Sequence, residues 1–188
     1  RDPRRCERLH FVSVEKHPFT LEDAQLFHES FPELKSEAAE LRARWPLLVP
    51  GAQRLELDNG RVILTLFFSD VKILRDLRLA ADAVYLDGFS PERNPDMWSA
   101  QLMRSVSRLC AAEATLATWS VAAPVRSALE RTGFVLEKRP GFGHKREMLV
   151  ARSLKGRTSS STERRAVVVG AGLAGAAVCE RLCARGWE

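Results

Sequence analysis

The sequence has few cysteines and no long hydrophobic run, and both features narrow the class of protein. Its four cysteines form no C-x-x-C pair and no His/Cys cluster with zinc-ligand spacing: Cys6, Cys110, Cys179 and Cys183. We therefore expect reduced thiols, a cytoplasmic location and no metal site. The longest apolar run, residues 166–178, has 13 residues including glycines, which is too short to span a bilayer, so we expect no membrane partner.

The two ends of the sequence indicate how much of a protein it represents. The start, "RDPRRCERLHF", has no signal peptide and no initiator methionine, and it runs directly into a strand-like segment. The end, "CERLCARGWE", stops just past a helical pattern. We expect from these ends an internal segment of a longer protein, with one domain and the beginning of a second.

Basic residues outnumber acidic residues. There are 29 Lys and Arg against 24 Asp and Glu, which gives a formal net charge of +5. That balance suits a polyanionic partner such as RNA, and it equally suits an enzyme whose surface is merely basic. With 45% hydrophobic residues the chain has enough apolar material for a globular core.

Hydrophobic periodicity predicts an alternation of strands and helices. The predicted strands are residues 9–15, a hairpin at 54–68 around Asp58-Asn59-Gly60, 82–87, 115–120, 134–140 and 145–153; the predicted helices are residues 20–27, 33–45, 71–79, 96–111 and 122–133. The helix at residues 20–27 begins with a capping box, Thr20 and Asp23. This order predicts an α/β fold with a mainly parallel sheet, covered by helices on both faces and closed by an antiparallel hairpin.

That closing hairpin resembles the end of the class I S-adenosylmethionine-dependent methyltransferase fold, which is Rossmann-like. The resemblance implies that the first strand and its glycine-rich loop lie before residue 1. We expect residues 1–153 to form this domain, and the polar, Ser/Thr-containing residues 154–165 to form a linker.

Residues 166–188 predict the first strand and helix of a second, dinucleotide-binding domain. Gly170, Gly172 and Gly175 follow the apolar run "AVVV" in a G-x-G-x-x-G pattern, which allows a pyrophosphate to approach the start of the helix. A tight strand-to-helix turn without a ligand is the alternative. We expect this segment to pack poorly, because one strand and one helix bury little surface.

Three carboxylates follow strand-like runs: Glu15, Asp70 and Asp87. In open α/β sheets, ligands bind at the carboxyl ends of the strands. In a methyltransferase-like order, the first two carboxylates can accept hydrogen bonds from the ribose and adenine of the cofactor, and the third faces the reacting centre. Each of them alone is more typical of a solvated loop acid or a helix cap.

The segment "LDGFSPERNPDMW" around Asp87 is typical of methyltransferases that act on amino nitrogens. An alkyl amine has a pKa of about 10 in water, so it must lose a proton before it can attack a methyl group. Asp87 can orient the amine and help that proton leave. Phe89 can stack on a nucleobase, and two prolines restrict the loop. A turn with Asp96 as a helix cap is the plainer interpretation.

The segment "KRPGFGHKREM", residues 138–148, places five basic side chains around Phe142. Cations next to an aromatic ring suit RNA phosphates and bases. A solvent-exposed basic hairpin is the alternative.

Together, "LHFVSVEKHP", "DAVYLDGFSPERNPDMW", "TLATWS", "GFGHKREM" and "AVVVGAGLAG" resemble one bacterial family, the bifunctional tRNA 5-methylaminomethyl-2-thiouridine biosynthesis proteins. The resemblance covers nearly the whole chain. It implies an FAD-dependent oxidoreductase that removes the carboxymethyl group from 5-carboxymethylaminomethyluridine at the wobble position of tRNA. It also implies a methyltransferase that then methylates the exposed aminomethyl group with S-adenosylmethionine.

The same resemblance implies a role for each candidate residue. Glu15 would hold the cofactor ribose and Asp70 the adenine, while Asp87 and Phe89 would face the methyl group and the amine. Lys145 and Arg146 would contact the substrate or tRNA, and Gly170, Gly172 and Gly175 would approach the FAD pyrophosphate. Ser90 and Ser69 depart from the alanine and glycine that are usual in the family.

The same residues fit two other functions. One is a small-molecule amine methyltransferase fused to a dinucleotide-binding domain. The other is a non-catalytic RNA-binding module, against which the intact Glu15, Asp70 and Asp87 argue.

Overall fold

The computed structural model describes residues 6–88, 90–141, 143, 145–155, 166–169, 172–184 and 186. The chain divides into two compact units. Unit 1 consists of Arg1–Arg78 and Gly88–Val106, and unit 2 of Leu79–Asp87 and Ser107–Glu188.

Unit 1 contains a three-stranded mixed sheet. Its strands are β1 (Leu9–Glu15), β2 (Gly51–Leu57) and β3 (Val62–Phe68), in the order β1-β3-β2. β1 runs parallel to β3, and β2 pairs antiparallel with β3 through the predicted hairpin. The turn needs positive φ at three successive residues, and it has 49° at Asp58, 54° at Asn59 and 80° at Gly60, which are residue types that tolerate this conformation.

The helices of unit 1 follow the predicted order with small differences in extent. They are α1 (Leu21–His28), α2 (Lys35–Ala43), the first part of α3 (Ala100–Leu109), and 3₁₀ helices at Pro32–Leu34, Val71–Arg75 and Pro95–Trp98. The capping box of α1 is confirmed, since Thr20 Oγ1 accepts from the Asp23 backbone N–H at 3.1 Å and Asp23 Oδ2 accepts from the Thr20 backbone N–H at 3.1 Å. The predicted helix 71–79 is instead one short 3₁₀ helix.

Unit 2 contains a four-stranded mixed sheet. Its strands are β4 (Ala81–Leu86), β5 (Cys110–Thr118), β6 (Phe134–Pro140) and β7 (Glu147–Ser153), in the order β4-β5-β7-β6. β4 and β5 are parallel, and β6 and β7 form the predicted antiparallel hairpin. The remaining helices are α4 (Ala123–Arg131) and α5 (Leu173–Cys183).

The α/β fold and its closing hairpin are confirmed, but the described sheets are mixed rather than mainly parallel. Two strand pairings are parallel and three are antiparallel. The antiparallel β2–β3 hairpin contributes one of these three, and β7 contributes the other two by lying between β5 and β6.

Burial of β4 differs from the prediction. The apolar run "DAVYLD" predicted a strand covered on both faces, yet Tyr85 is 73% exposed and, within β4, only Leu86 is buried. β4 lies at the edge of its sheet and pairs with β5 alone among the described strands, which leaves much of its surface open.

The core of unit 2 lies between α4 and the sheet. Leu116 of β5, Val125 and Leu129 of α4, and Leu149 of β7 are each at most 1% exposed. Pro124 lies in the first turn of α4, where its missing N–H costs no hydrogen bond. The carboxyl end of β5 is joined to β7 by antiparallel pairing of Thr118 with Leu149.

The predicted strand at residues 166–169 is not present. These described residues have no regular structure, and Val167 and Val169 are 92% and 95% exposed. The expectation of poor packing is confirmed, because α5 contains no buried residue. None of the described strands pairs with this run, so its backbone groups gain nothing from an extended conformation.

Within the described part of the chain, no helix combines the length and the apolar character needed to cross a membrane.

Candidate functional site

In unit 1, Glu15 and Asp70 lie at the same edge of the sheet. Glu15 is the last residue of β1 and pairs with Phe68, the last residue of the parallel strand β3. Asp70 follows Phe68 by two residues, and the Ser69 backbone N–H donates to the Glu15 carbonyl at 3.1 Å. The structure therefore brings together the two carboxylates that the sequence predicted to hold the cofactor.

The Glu15 side chain is exposed, and it binds the backbone two residues further along the chain. Its Oε1 accepts a hydrogen bond from the His17 N–H at 2.9 Å. That bond orients the carboxylate just past the end of β1. An exposed, oriented carboxylate is a suitable acceptor for hydroxyl groups such as those of a ribose.

Both carboxylate oxygens of Asp70 have a partner. Oδ1 accepts from the Lys72 N–H at 3.0 Å and so caps the following 3₁₀ helix, while Oδ2 lies 3.2 Å from the Lys16 ammonium. The hydrogen bond from Lys72, and then that from Lys16, hold the pKa of the Asp70 carboxyl below its usual range. Asp70 is therefore a helix cap as well as a candidate ligand. Each of its oxygens keeps a second lone pair for another donor.

The loop that follows Asp87 closes on itself. The Ser90 carbonyl accepts from the backbone N–H groups of both Arg93 and Asn94 at 2.9 Å. Asp96 does not cap the next helix: it lies 3.8 Å from the Lys72 ammonium, and Ser99 Oγ accepts from the Leu102 N–H instead. Phe89, the predicted stacking residue, lies outside the described residues.

In unit 2, strand register places Asp87 beside Trp119. Leu86 and Thr118 are paired at the ends of the parallel strands β4 and β5, so Asp87 and Trp119 are the next residue past each end. Neighbouring strands lie about 4.8 Å apart. The exposed carboxylate of Asp87 and the half-buried indole of Trp119 therefore share one edge of the sheet.

The basic hairpin reaches the same edge. β5 pairs with β7 as far as Thr118 and Leu149, and the Gly141 N–H closes the hairpin tip by donating to the Arg146 carbonyl at 3.0 Å. The Lys145 ammonium lies over the Trp119 ring, 4.6 Å from its centroid. This is a cation–π contact.

The positive charges of the hairpin are not equivalent. Lys138 lies 3.0 Å from Glu147, and Arg139 lies 2.9 Å from Glu137, so nearby carboxylates offset both charges. Lys145 and Arg146 are exposed, and neither has a salt bridge among those described. They are therefore the better placed of the four to meet a polyanion. Phe142 and His144 lie outside the described residues.

The glycine pattern of residues 170–175 is only partly visible. Gly172 is the N-cap of α5, and its carbonyl accepts from the Ala176 N–H at 2.9 Å. Gly175 lies in the first turn of that helix. Gly170 lies outside the described residues, and so does the linker from residue 156 onwards.

Residues 32–153 match the family model described as S-adenosyl-L-methionine-dependent methyltransferase. The chain belongs to this family. Methyltransferase chemistry with S-adenosylmethionine follows from that membership, and the carboxylates of Glu15 and Asp70 fit the hydroxyl and amino donors of such a cofactor. The roles of individual residues stay predictions.

Curated relatives of this methyltransferase chain are longer proteins. It is 56% identical to the "tRNA 5-methylaminomethyl-2-thiouridine biosynthesis bifunctional protein MnmC" of Azoarcus sp. (strain BH72), and 54% identical to the protein of that name from Aromatoleum aromaticum. Each match covers 100% of this chain and 30% of the relative. The chain thus spans about a third of the length of these relatives.

A solved structure supports the methyltransferase fold. The crystal structure of MNMC2 from Aquifex aeolicus superposes with a TM-score of 0.62 at 27% identity, covering 80% of this chain and 45% of that one. The predicted resemblance of fold and family is therefore confirmed.

Sequence reasoning missed two residues at these edges, Lys16 and Trp119. Each directly follows the end of a strand, and Trp119 stands in "TLATWS", where an aromatic residue after a strand-like run was a visible signal. Lys16 next to Glu15 gave no signal, because an exposed lysine in a loop is common.

Proposed function

We propose that this chain is the methyltransferase part of an enzyme that methylates the 5-aminomethyl group of a wobble uridine in tRNA. The product would be 5-methylaminomethyluridine or its 2-thio form. The observation that carries the proposal is the match of the whole chain, at 56% identity, to a relative named for making 5-methylaminomethyl-2-thiouridine. An enzyme of this kind works in the cytoplasm, where tRNA is found.

Asp87 would act on the amine. The substrate amine arrives protonated near neutral pH, because its pKa is close to the lysine value of about 10. Asp87 follows β4 and is exposed, so it can accept a hydrogen bond from the amine and help its proton pass to solvent. When bound, S-adenosylmethionine supplies the methyl group, and its sulfur keeps the electrons of the broken C–S bond. Phe89 would stack beside the amine-bearing base.

Glu15 and Asp70 would hold the cofactor. Glu15, oriented by His17, would accept from the ribose hydroxyls. Asp70, kept ionised by Lys72 and Lys16, would accept from the adenine amino group. Both roles use carboxylate oxygens as acceptors for neutral donors, which are charge-assisted hydrogen bonds.

Lys145 and Arg146 would meet the tRNA. Both are exposed at the tip of the β6–β7 hairpin, and that hairpin lies at the edge where β4 and β5 end. Contacts to phosphates would make tRNA binding fall steeply with salt. The net charge of +5 agrees with such a partner.

A second activity would belong to the longer protein. The curated relatives are named bifunctional, and residues 166–188 would begin an FAD-dependent oxidoreductase that removes the carboxymethyl group, after a linker at residues 154–165. Gly170, Gly172 and Gly175 would approach the FAD pyrophosphate. Gly172 at the start of α5 supports this, because helix N-termini favour anions.

The test uses a protein of the relatives' full length that contains this sequence. It is incubated with labelled S-adenosylmethionine and tRNA carrying 5-aminomethyluridine, and the wobble base is analysed for label. Label on that base supports the proposal. Label on free 5-aminomethyluridine but not on tRNA would favour a small-molecule amine methyltransferase, and salt-sensitive tRNA binding without cofactor binding would favour an RNA-binding module.

A further inference from the structure

Trp119 has no role in the chemistry described so far, yet it occupies a central position. It follows β5 directly, next to Asp87 on the neighbouring parallel strand. Both residues belong to unit 2, so their proximity rests on the register of one sheet. The two side chains therefore start from neighbouring strands at one edge of the sheet.

The Trp119 ring already binds a primary ammonium group. The Lys145 Nζ lies 4.6 Å from the ring centroid, within the range of a cation–π contact. Lys145 is exposed, and exposed contacts of this kind are weak, so the lysine can leave the ring without large cost. The side chain of lysine ends in the same group that an aminomethyl substituent carries when protonated.

We propose that Trp119 is a substrate-binding residue whose indole takes the protonated aminomethyl group, and that Lys145 occupies this position in the free protein. The substrate amine arrives as a cation. The electron-rich ring and the Asp87 carboxylate together favour that cation over a neutral 5-substituent. On binding, the Lys145 ammonium leaves the ring and becomes available to tRNA phosphates. This proposal rests on the proposed function and names the chemistry that would select its substrate.

A binding experiment on the chain itself tests the proposal without activity. The indole N–H signals of the ¹⁵N-labelled chain are followed by NMR during titration with 5-aminomethyluridine and, separately, with neutral 5-methyluridine. The Trp119→Leu variant identifies the Trp119 signal. We expect that signal to move with the amine and not with the neutral nucleoside. Equal shifts with both nucleosides, or no shift with either, would overturn the proposal.

Lys145→Met tests whether the lysine competes with the substrate for the ring. A nucleoside has no phosphates for Lys145 to contact, so any change in its binding reports on the ring alone. Removing the competing ammonium should tighten binding of 5-aminomethyluridine by about twofold to fivefold, as expected for an exposed cation–π contact. Lys138→Met is the matched control, since Lys138 lies on the same hairpin but pairs with Glu147. Weaker binding in Lys145→Met would mean that lysine itself holds the substrate.

Kinetics separate this proposal from the proposed function. In a protein of full length, Trp119→Leu should raise KM for a stem-loop carrying 5-aminomethyluridine by about fivefold to thirtyfold, with kcat changed less than about twofold. Trp119→Phe, which keeps an aromatic face, should recover most of the loss. If the unmodified protein methylates the stem-loop and Trp119→Leu has the same KM, only the Trp119 proposal fails. If the unmodified protein is inactive, the proposed function fails and the NMR titration decides on Trp119.

Discussion

The ammonium of Lys16 lies 3.2 Å from Oδ2 of Asp70, across the carboxyl ends of two neighbouring parallel strands. The lysine follows β1 and the aspartate follows β3. Their ion pair, together with the hydrogen bond from the Lys72 N–H, keeps the Asp70 carboxylate ionised and fixed in direction. The ion pair thus links the ends of β1 and β3, where the cofactor would bind.

Replacing Asp70 should weaken cofactor binding. Asp70→Asn removes the charge and should reduce affinity for S-adenosylmethionine by about tenfold to a hundredfold, because hydrogen bonds to charged groups are the stronger ones. Lys16→Met should reduce it by less than about fivefold, since exposed ion pairs contribute little. Isothermal titration calorimetry measures both. The reverse order of effects would show that Lys16, and not Asp70, contacts the cofactor.

The pH dependence of cofactor binding should follow the lowered pKa of Asp70. The proposed contact needs the ionised carboxylate, so the part of the affinity that depends on Asp70 should fall at a lower pH than an unperturbed aspartate would allow. In Lys16→Met the fall should begin at higher pH, because one of the groups that lowers this pKa is gone. Calorimetric titrations between pH 3 and 6 would check this, and identical profiles for the two proteins would contradict it.

Asp87 should matter for methyl transfer and little for cofactor binding. Asp87→Asn removes the carboxylate that we propose helps the amine lose its proton, so kcat should fall by about a hundredfold or more while S-adenosylmethionine affinity stays within about twofold. Asp82→Asn is a matched control, because Asp82 is an exposed carboxylate on β4, the strand that Asp87 follows. The readout is label transferred to tRNA. Full activity in Asp87→Asn would show that the assigned role is wrong.

Local sequence signals predicted most of the fold but not the exposure of its strands. The capping box at Thr20 and the turn at Asn59 each depend on neighbouring residues, and each is confirmed. The exposure of Tyr85 on β4 depends on which strand pairs with which, and composition does not determine that. An apolar run such as residues 166–169 has a preference for strand but forms one only beside a partner.

In the candidate site, too, some residues could be predicted from local sequence and others depend on how the strands pair. Strand-end carboxylates could be predicted because the carboxyl ends of parallel strands meet at one edge. Trp119 could not be assigned, because its position beside Asp87 follows from the register of β4 against β5. Its contact with Lys145 follows from a pairing of β5 with β7 that brings together distant parts of the sequence.

Gly141 should be essential to the tip of the β6–β7 hairpin. A Cβ at this position would lie 2.2 Å from the Lys145 carbonyl oxygen and 2.7 Å from its carbonyl carbon, and backbone atoms cannot yield as a side-chain end can. Gly141→Ala should therefore displace Lys145 and lower the free energy of unfolding by about 1–3 kcal/mol. Chemical denaturation measures the stability, and salt-dependent tRNA binding measures the position of the charge.

Gly172→Ala is the control for that substitution. A Cβ at Gly172 would meet no atom of the described residues within 4 Å, and its φ of −77° suits any residue. Stability and tRNA binding should be unchanged. If Gly141→Ala changed stability as little as Gly172→Ala, the backbone at the tip of the β6–β7 hairpin would have to lie further apart than the structure shows.

Cys110 should resist thiol reagents that modify the other three cysteines. It lies at the start of β5 with 0% exposure, and burial raises the pKa of its thiol to about 11, so almost no thiolate forms at pH 8. Cys6, Cys179 and Cys183 are exposed. Mass spectrometry of the chain after brief alkylation at pH 8 should show modification at these three positions, and at all four once the chain is unfolded in denaturant. If Cys110 in the folded chain were modified as fast as Cys6, the start of β5 would have to open readily, because only an exposed thiolate reacts.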